Sequence, residues 1–241
     1  KMKTGIQLWT LRDVVNSDLP GTLGSLSKYG FTSVEPFGFD GGFFGRSAKE
    51  FRTMCNDLGM DIPSTHCGIT VENASMFAEK AAEAGMKYLV LPSFMGRAES
   101  NLDDFKKAAH EMNKMGEITR KSGISFGYHN HNFEFKPMDG KLPYDTLLAE
   151  TDPNLVTFQM DIYWVVKGGQ KPEEYFEKHP GRFGLWHVKD MGNGRINFRD
   201  LMKLSKKAGL KQIVYEQEQY SEGTPLYCAE QSCKYIQKHL L

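Results

Sequence analysis

Along this chain, a helical pattern of apolar residues repeatedly ends at a glycine, and an apolar, strand-like run follows at once. Glycine adopts the left-handed conformation that closes a helix without steric cost. The repeated sequence of helix, glycine and strand therefore predicts a series of βα units. The junctions are Tyr29-Gly30-Phe31, Leu58-Gly59-Met60, Ala84-Gly85-Met86, Ser122-Gly123-Ile124 and Ala208-Gly209-Leu210.

The apolar runs and turn signals together predict eight strands and a helix after each of them. The predicted strands span residues 5–10, 31–37, 61–67, 87–92, 124–130, 155–161, 183–189 and 211–217. The clearest helical patterns cover 47–58, 70–84, 101–122, 197–208 and 224–240, with shorter ones at 143–150 and 172–178.

Eight βα units without a linker or low-complexity segment predict an α/β fold, a single (β/α)8 TIM barrel that forms one domain over residues 1–241. A doubly wound open sheet is the alternative. That fold would carry a glycine-rich phosphate-binding loop after its first strand. The segment found there, QLWTLRD, contains no glycine, and the barrel is therefore favoured.

Polar side chains gather at the ends of the predicted strands. Barrel enzymes build their active sites from the carboxyl ends of the strands and the loops that follow, so these side chains are predicted to converge. They are Gln7, Glu35, His66, His129, His131, Glu134, Asp161, His187, Lys189, Asp190, Glu216 and Glu218.

The Glu, Asp, His and Glu side chains of strands five to eight form a mixed oxygen and nitrogen ligand set. Such a set suits one divalent ion, Mn²⁺, Mg²⁺, Co²⁺ or Zn²⁺. A divalent ion can hold a carbonyl and a neighbouring hydroxyl and so favour removal of the α-proton. Taken alone, Asp161 would serve equally well as a helix cap, and a histidine such as His187 is more often a hydrogen-bonded core residue than a ligand.

These motifs together resemble the xylose isomerase-like barrel superfamily, the sugar phosphate isomerase/epimerase group that includes inosose dehydratase, hydroxypyruvate isomerase and the ketose 3-epimerases. The resemblance covers essentially the whole chain. It rests on GIQLWTLRD, STH, YHNHNFEF, MDIYW, HVKD and VYEQEQ, in this order.

The resemblance implies the roles of individual residues. The metal ligands would be Glu134, Asp161, His187 and Glu216, with Glu134 reaching back from its loop and Glu218 as the alternative on strand eight. Glu134 and Glu216 would form the acid–base pair; alternatively, His66 and Lys189 would move protons or stabilise the oxyanion. Substrate would be bound by Gln7, Trp9, Glu35, His129, His131 and Trp164.

The implied function is a metal-dependent isomerase or epimerase of a small keto sugar or polyol ketone. A lyase, either a dehydratase or a 3-keto-glycoside lyase, is the alternative, because both begin with the same proton removal. A non-catalytic sugar-binding barrel and a nuclease similar to the AP endonucleases are less favoured, since the ligand set is intact and no basic DNA-binding face is evident.

Charge and composition narrow the range of partners. Lys plus Arg and Asp plus Glu are equal at 30 each, so nucleic acid is not an expected partner. No apolar run is long enough to span a membrane. The four cysteines form no zinc-finger spacing. We expect a cytoplasmic protein, or a periplasmic or secreted one if a leader precedes Lys1, and a homo-oligomer is compatible with the sequence.

Overall fold

Eight parallel strands surround the interior of the protein in a computed structural model, which describes residues 1–93, 101–189 and 196–241. The barrel strands are β1 Thr4–Gln7, β2 Ser33–Glu35, β3 Ser64–His66, β4 Tyr88–Leu91, β5 Ser125–His129, β6 Val156–Asp161, β7 Leu185–Val188 and β8 Gln212–Tyr215. A two-stranded hairpin lies outside the barrel, formed by Gly42–Phe43 and Arg46–Ser47.

The hydrogen-bonded strand order is β2-β1-β8-β7-β6-β5-β4-β3. The two end strands also meet. The Val34 N–H donates to the Asp61 carbonyl at 3.0 Å, and the His66 N–H donates to the Pro36 carbonyl at 2.9 Å. The sheet therefore closes into a barrel, and the predicted TIM barrel is confirmed.

Helices follow the strands on the outside of the barrel. They are α1 Leu19–Tyr29, α2 Ala48–Asp57, α3 Ala74–Glu83, α4 Leu102–Arg120, α5 Pro143–Glu150, α6 Ile162–Lys167, α7 Pro172–Lys178, α8 Phe198–Met202, α9 Ser205–Ala208 and α10 Pro225–His239. Short 3₁₀ helices cover Leu8–Leu11 and Phe133–Phe135. No helix in the described ranges is both long enough and apolar enough to cross a membrane.

Several predicted elements are shorter in the structure, and in three of them local hydrogen bonds explain the difference. Strand one ends at Gln7 because its side-chain oxygen accepts the Trp9 N–H at 3.0 Å and turns the chain. The helix predicted from Thr70 begins at Ala74, since Thr70 and Asn73 exchange hydrogen bonds in a preceding turn. The helix predicted at 197–208 is divided into α8 and α9, where the Lys203 N–H donates to the Asp200 carbonyl.

Alternation along the strands decides which side chains face the site. Successive residues of a strand point to opposite faces. On β6, Gln159 and Asp161 face the barrel interior. Phe158 faces the helices, where its ring lies 5.5 Å from that of Tyr144 on α5. On the neighbouring strand β5, Tyr128 faces outward with Phe158, at a ring distance of 6.2 Å, and His129 faces inward.

The packing of α4 on the barrel depends on Gly116. A Cβ atom there would lie 2.2 Å from the Leu155 carbonyl oxygen, which is backbone and cannot move aside cheaply. We expect Gly116→Ala to lower the free energy of unfolding by about 2 kcal/mol, because overpacking displaces the helix. The control is Gly24→Ala in α1, where a Cβ meets nothing within 4 Å and where we expect a gain of about 0.5–1 kcal/mol. Urea denaturation measures both, and equal effects would contradict the packing argument.

Candidate active site

A pocket of about 530 Å³ opens at the carboxyl ends of the barrel strands. It lies at the end of the barrel where the predicted polar residues were expected to gather. The predicted residues that line it are Trp9, His66, His129, His131, Glu216 and Glu218.

Three side chains near the pocket floor could hold a metal ion. One ligand atom each of Asp161, His187 and Glu216 lies within 4.8 Å of the other two. Asp161 Oδ2 and His187 Nδ1 are buried and have no hydrogen-bond partner among the described residues. Leaving such atoms unpaired is costly, and a divalent cation accepts both carboxylate and imidazole ligands. The group therefore fits a divalent ion.

Lys189 adds a positive charge beside this group. Its Nζ lies 2.7 Å from Glu216 Oε1, 2.5 Å from Glu218 Oε1 and 3.4 Å from Asp161 Oδ2. Burial lowers the pKa of Lys189, but the surrounding carboxylates outweigh burial and raise it. Burial likewise raises the pKa of Glu216, but Lys189 and His187 bring it well below its usual value. Near neutral pH, Lys189 is an ammonium and Glu216 a carboxylate.

Glu35 is the centre of a buried network beneath the pocket. Its Oε1 accepts hydrogen bonds from Gln7 Nε2 at 2.9 Å and from His187 Nε2 at 2.7 Å. Its Oε2 accepts from Ser64 Oγ at 2.5 Å and from Gln159 Nε2 at 2.7 Å. Burial raises the pKa of Glu35, but the two histidines next to it, His66 and His187, outweigh burial and leave the pKa well below its usual value.

Glu35 and Gln7 were predicted to bind substrate, and both are fully buried in this network. They contact the residues around the pocket rather than lining it. The short contact to Glu35 fixes one nitrogen of His187 and leaves the other directed at Asp161 and Glu216. Positioning of this kind is typical of the groups that surround a metal centre.

Gln159 joins two more histidines to the same network. Its Oε1 lies 2.7 Å from His66 Nε2 and 2.9 Å from His129 Nδ1. Burial lowers the pKa of His129 to about 3, so this imidazole is neutral near pH 7. His129 Nε2 lies 3.4 Å from Asp161 Oδ2. The site thus contains three closely spaced imidazoles, of His66, His129 and His187.

Glu134 lies apart from the group formed by Asp161, His187 and Glu216. Its Oε2 accepts a hydrogen bond from the Tyr128 hydroxyl at 2.7 Å, and both of its oxygens lie 3.0 Å from the donating His131 N–H. The side chain is completely buried. Its role as a metal ligand stays a prediction, and it would require the carboxylate to leave these partners.

The family model described as xylose isomerase-like TIM barrel matches residues 23–239. The chain belongs to this family. Two similar solved structures are described as sugar phosphate isomerase/epimerases from Parabacteroides distasonis ATCC 8503. One is 33% identical, with a TM-score of 0.88, and the match covers 98% of this chain and 94% of that one. The other is 28% identical, with a TM-score of 0.90 and 98% coverage of both chains.

Relatives named inosose dehydratase match shorter segments. The protein from Clostridium botulinum (strain Alaska E43 / Type E3) is 29% identical over 100 residues, which are 42% of this chain and 33% of the dehydratase. The chain therefore spans about a third of the length of that relative. Proteins similar to this chain thus include some named isomerase/epimerase and others named dehydratase.

The remaining predicted residues lie at the rim or beside the pocket. Trp9 is 42% exposed, and its ring contacts Phe37 edge to face at 5.0 Å. Trp164 lies under Lys189, whose Nζ is 5.3 Å from the ring centre. Glu216, favoured over Glu218 from the sequence, is the one that belongs to the buried group. Asp190 lies outside the described residues.

Two members of the buried network were missed in the sequence. Gln159 and Ser64 each precede a predicted site residue by two positions on the same strand, Asp161 and His66 respectively. Residues two apart on a strand share a face, so the spacing to Asp161 and His66 indicated that Gln159 and Ser64 face the site. A polar side chain at that spacing in an otherwise apolar strand therefore indicates a neighbour of the site.

Burial raises the pKa of Glu134 from 4.5 to about 7, although hydrogen bonds from Tyr128 and His131 oppose this. Between these two values the folded state holds more protons than the unfolded state, so the contribution of Glu134 to stability is complete below pH 4.5 and lost as the pH rises through 7. Titration of Glu134 should lower the free energy of unfolding of the wild type by roughly 3 kcal/mol between pH 4.5 and 7. We expect this decline to be absent in Glu134→Gln.

The measurement is urea denaturation of the EDTA-treated wild type and variant at several pH values from 4.5 to 8. Glu79→Gln, at an exposed position of α3, is the matched control and should parallel the wild type. A constant difference between Glu134→Gln and the wild type across this range would contradict the shifted pKa.

Proposed function

We propose that this chain is a divalent-metal-dependent isomerase or epimerase that removes a proton next to the carbonyl of a small keto sugar or polyol ketone. The observation that carries the proposal is a pair of buried atoms, Asp161 Oδ2 and His187 Nδ1, which make no hydrogen bond within the described ranges and are grouped with Glu216 at the floor of an open pocket. Membership of the xylose isomerase-like family supports it.

The residues that would hold the metal are Asp161, His187 and Glu216, with Glu134 as the fourth ligand predicted from the family resemblance. A divalent ion bound there supplies a Lewis acid that polarises a carbonyl oxygen. The ion itself could be Mn²⁺, Mg²⁺, Co²⁺ or Zn²⁺.

Lys189 suits the stabilisation of developing negative charge on the substrate oxygen. Its ammonium is buried, is fixed by Glu216 and Glu218, and needs no reorganisation during the reaction. For proton transfer we propose the carboxylate of Glu216 and the imidazole of His66, which both line the pocket. Glu134, the other predicted partner of Glu216, would have to leave its present hydrogen bonds to take part.

Substrate recognition would use the aromatic and imidazole groups around the pocket. Trp164 Nε1 and His131 Nδ1 are buried and have no hydrogen-bond partner among the described residues. A polyhydroxylated molecule would satisfy both atoms, and the exposed ring of Trp9 offers an apolar face at the entrance. A small carbohydrate therefore fits the pocket.

A lyase acting on the same class of substrate is the second candidate, favoured by the relatives named inosose dehydratase. The first step is the same, because a base takes the proton next to the carbonyl. The electron pair then forms a carbon–carbon double bond while the β-carbon–oxygen bond breaks. The oxygen leaves with a proton as water or, from a 3-keto-glycoside, as an alcohol.

The test is proton NMR of the metal-loaded enzyme in deuterated water with a panel of keto sugars, inososes and 3-keto-glycosides. We expect deuterium at the carbon next to the carbonyl of a turned-over substrate. A recovered isomer supports the isomerase or epimerase, and an unsaturated product supports the lyase. Absence of exchange across the panel, with metal bound, would favour a sugar-binding barrel that lacks chemistry.

A further inference from the structure

The ligand set of the proposed metal site contains three grouped residues, Asp161, His187 and Glu216. A fourth protein ligand is expected from strand β5, the strand beside β6. Two residues of that region carry suitable atoms, Glu134 in the loop and His129 at the strand end. Glu134 and His129 differ in the side of β5 on which their ligand atoms lie. The choice between them rests on the proposed function.

Glu134 is held on the helix side of β5. Tyr128, which donates to its carboxylate, faces outward with Phe158. The backbone N–H of His131 donates to both carboxylate oxygens. Moving Glu134 into the barrel would break these hydrogen bonds to a completely buried carboxylate, which is costly.

His129 faces the barrel interior, and one of its nitrogens is already fixed. Gln159 Nε2 donates to Glu35 Oε2 at 2.7 Å, which turns the carbonyl Oε1 of the same amide toward His129 Nδ1, at 2.9 Å. A carbonyl oxygen can only accept, so the proton of the neutral His129 imidazole is on Nδ1. The lone pair is then on Nε2.

That lone pair faces a carboxylate oxygen of Asp161. His129 Nε2 lies 3.4 Å from Asp161 Oδ2, a buried atom without a hydrogen-bond partner in the described part of the chain. His187 is held by the same network, since its Nε2 donates to Glu35 and its Nδ1 lies 3.6 Å from Glu216 Oε1. One hydrogen-bond network therefore orients both imidazoles, with His129 Nε2 facing Asp161 and His187 Nδ1 facing Glu216.

We propose that His129 Nε2, rather than the carboxylate of Glu134, is the fourth ligand of the metal. The site would then consist of two imidazoles and two carboxylates, with Gln159 and Glu35 as the positioning residues for the imidazoles. A second imidazole in place of a third carboxylate shifts the preference toward Co²⁺ and Zn²⁺ over Mg²⁺. With His129 in place of Glu134, the metal site also carries one negative charge fewer beside the ammonium of Lys189.

The experiment is calorimetric titration of EDTA-treated protein with Co²⁺, together with the visible absorption of the cobalt-loaded protein. We expect His129→Ala to weaken Co²⁺ binding on the order of 100-fold or more and to change the cobalt absorption bands. Glu134→Gln should bind Co²⁺ within about threefold of the wild type. His131→Ala, an imidazole removed from the same segment, is the matched control and should leave the cobalt spectrum in place.

Near-ultraviolet circular dichroism establishes whether each variant is folded. If His129→Ala does not fold, Gln159→Leu provides a second test. Gln159→Leu keeps the imidazole but removes its acceptor, and we expect Co²⁺ binding to weaken by about 10-fold. Loss of Co²⁺ binding in Glu134→Gln, with normal binding in the His129 and Gln159 variants, would overturn this assignment and leave the proposed function intact. A wild type that binds no Co²⁺, Mn²⁺, Mg²⁺ or Zn²⁺ would overturn both.

Discussion

Asp161→Asn should bind divalent metal at least about 100-fold more weakly than the wild type and lose about 1,000-fold or more in kcat/KM. The substitution preserves size and replaces one carboxylate oxygen. Asp161 Oδ1 accepts the Trp164 N–H at 3.1 Å and caps α6, which an asparagine oxygen can continue to do. The other position, Oδ2, would become an amide nitrogen that cannot bind a cation. The effect should therefore be on metal binding and catalysis, with little change in fold.

The measurement is calorimetric metal titration with steady-state kinetics on the substrate found by the deuterium screen. Asp18→Asn is the matched control, because Asp18 caps α1 through Gly21 and lies on the exposed surface. It should match the wild type in both assays. Retention of metal binding in Asp161→Asn would remove this aspartate from the ligand set.

Glu35→Gln should lower the free energy of unfolding by about 3 kcal/mol, because the buried carboxylate is surrounded by donors. Gln7 and His187 donate to one oxygen, and Ser64 and Gln159 donate to the other. A glutamine would direct its own amide hydrogens at one of these pairs. The side-chain amide of Gln159 cannot rotate by 180° to compensate, because its carbonyl oxygen would then no longer face His66 and His129.

Urea denaturation of the metal-free protein measures this loss, and metal titration should show a further 10- to 100-fold weaker affinity, because His187 loses its anchor. Glu50→Gln is the control. Glu50 belongs to the exposed capping box of α2 with Ser47, and its replacement should cost less than about 1 kcal/mol. Wild-type stability in Glu35→Gln would mean that the network is not a source of stability.

The barrel could be predicted because its signals are local and repeat. The five glycines at the predicted helix ends all have positive φ in the structure, from 75° to 106°. Glycine is the residue that adopts a positive φ without steric cost, so a helix end that needs this conformation can be recognised from the sequence. The placement of Asp161, His187 and Glu216 near one another followed from the fold, because parallel strands of a barrel end at the same rim.

The partners of each side chain could not be predicted in the same way. Glu134 follows β5 in a short 3₁₀ turn, Phe133–Phe135, and the turn places its carboxylate beside Tyr128. Strand periodicity says nothing about a residue beyond the strand end. Gln7 and Glu35 were expected at the pocket because they end their strands, but Glu35 is buried among donors from β1, β3, β6 and β7, and Gln7 is one of those donors. Such long-range pairing is set by tertiary packing.

The most direct test of the metal site is the metal content of the wild-type chain by elemental mass spectrometry. The protein would be treated with EDTA, incubated separately with Mn²⁺, Mg²⁺, Co²⁺ and Zn²⁺, and freed of unbound ion before measurement. The grouping of Asp161, His187 and Glu216 predicts about one divalent ion per chain with at least one of these metals. A chain that retains none of the four would contradict a metal-dependent proton transfer in this pocket.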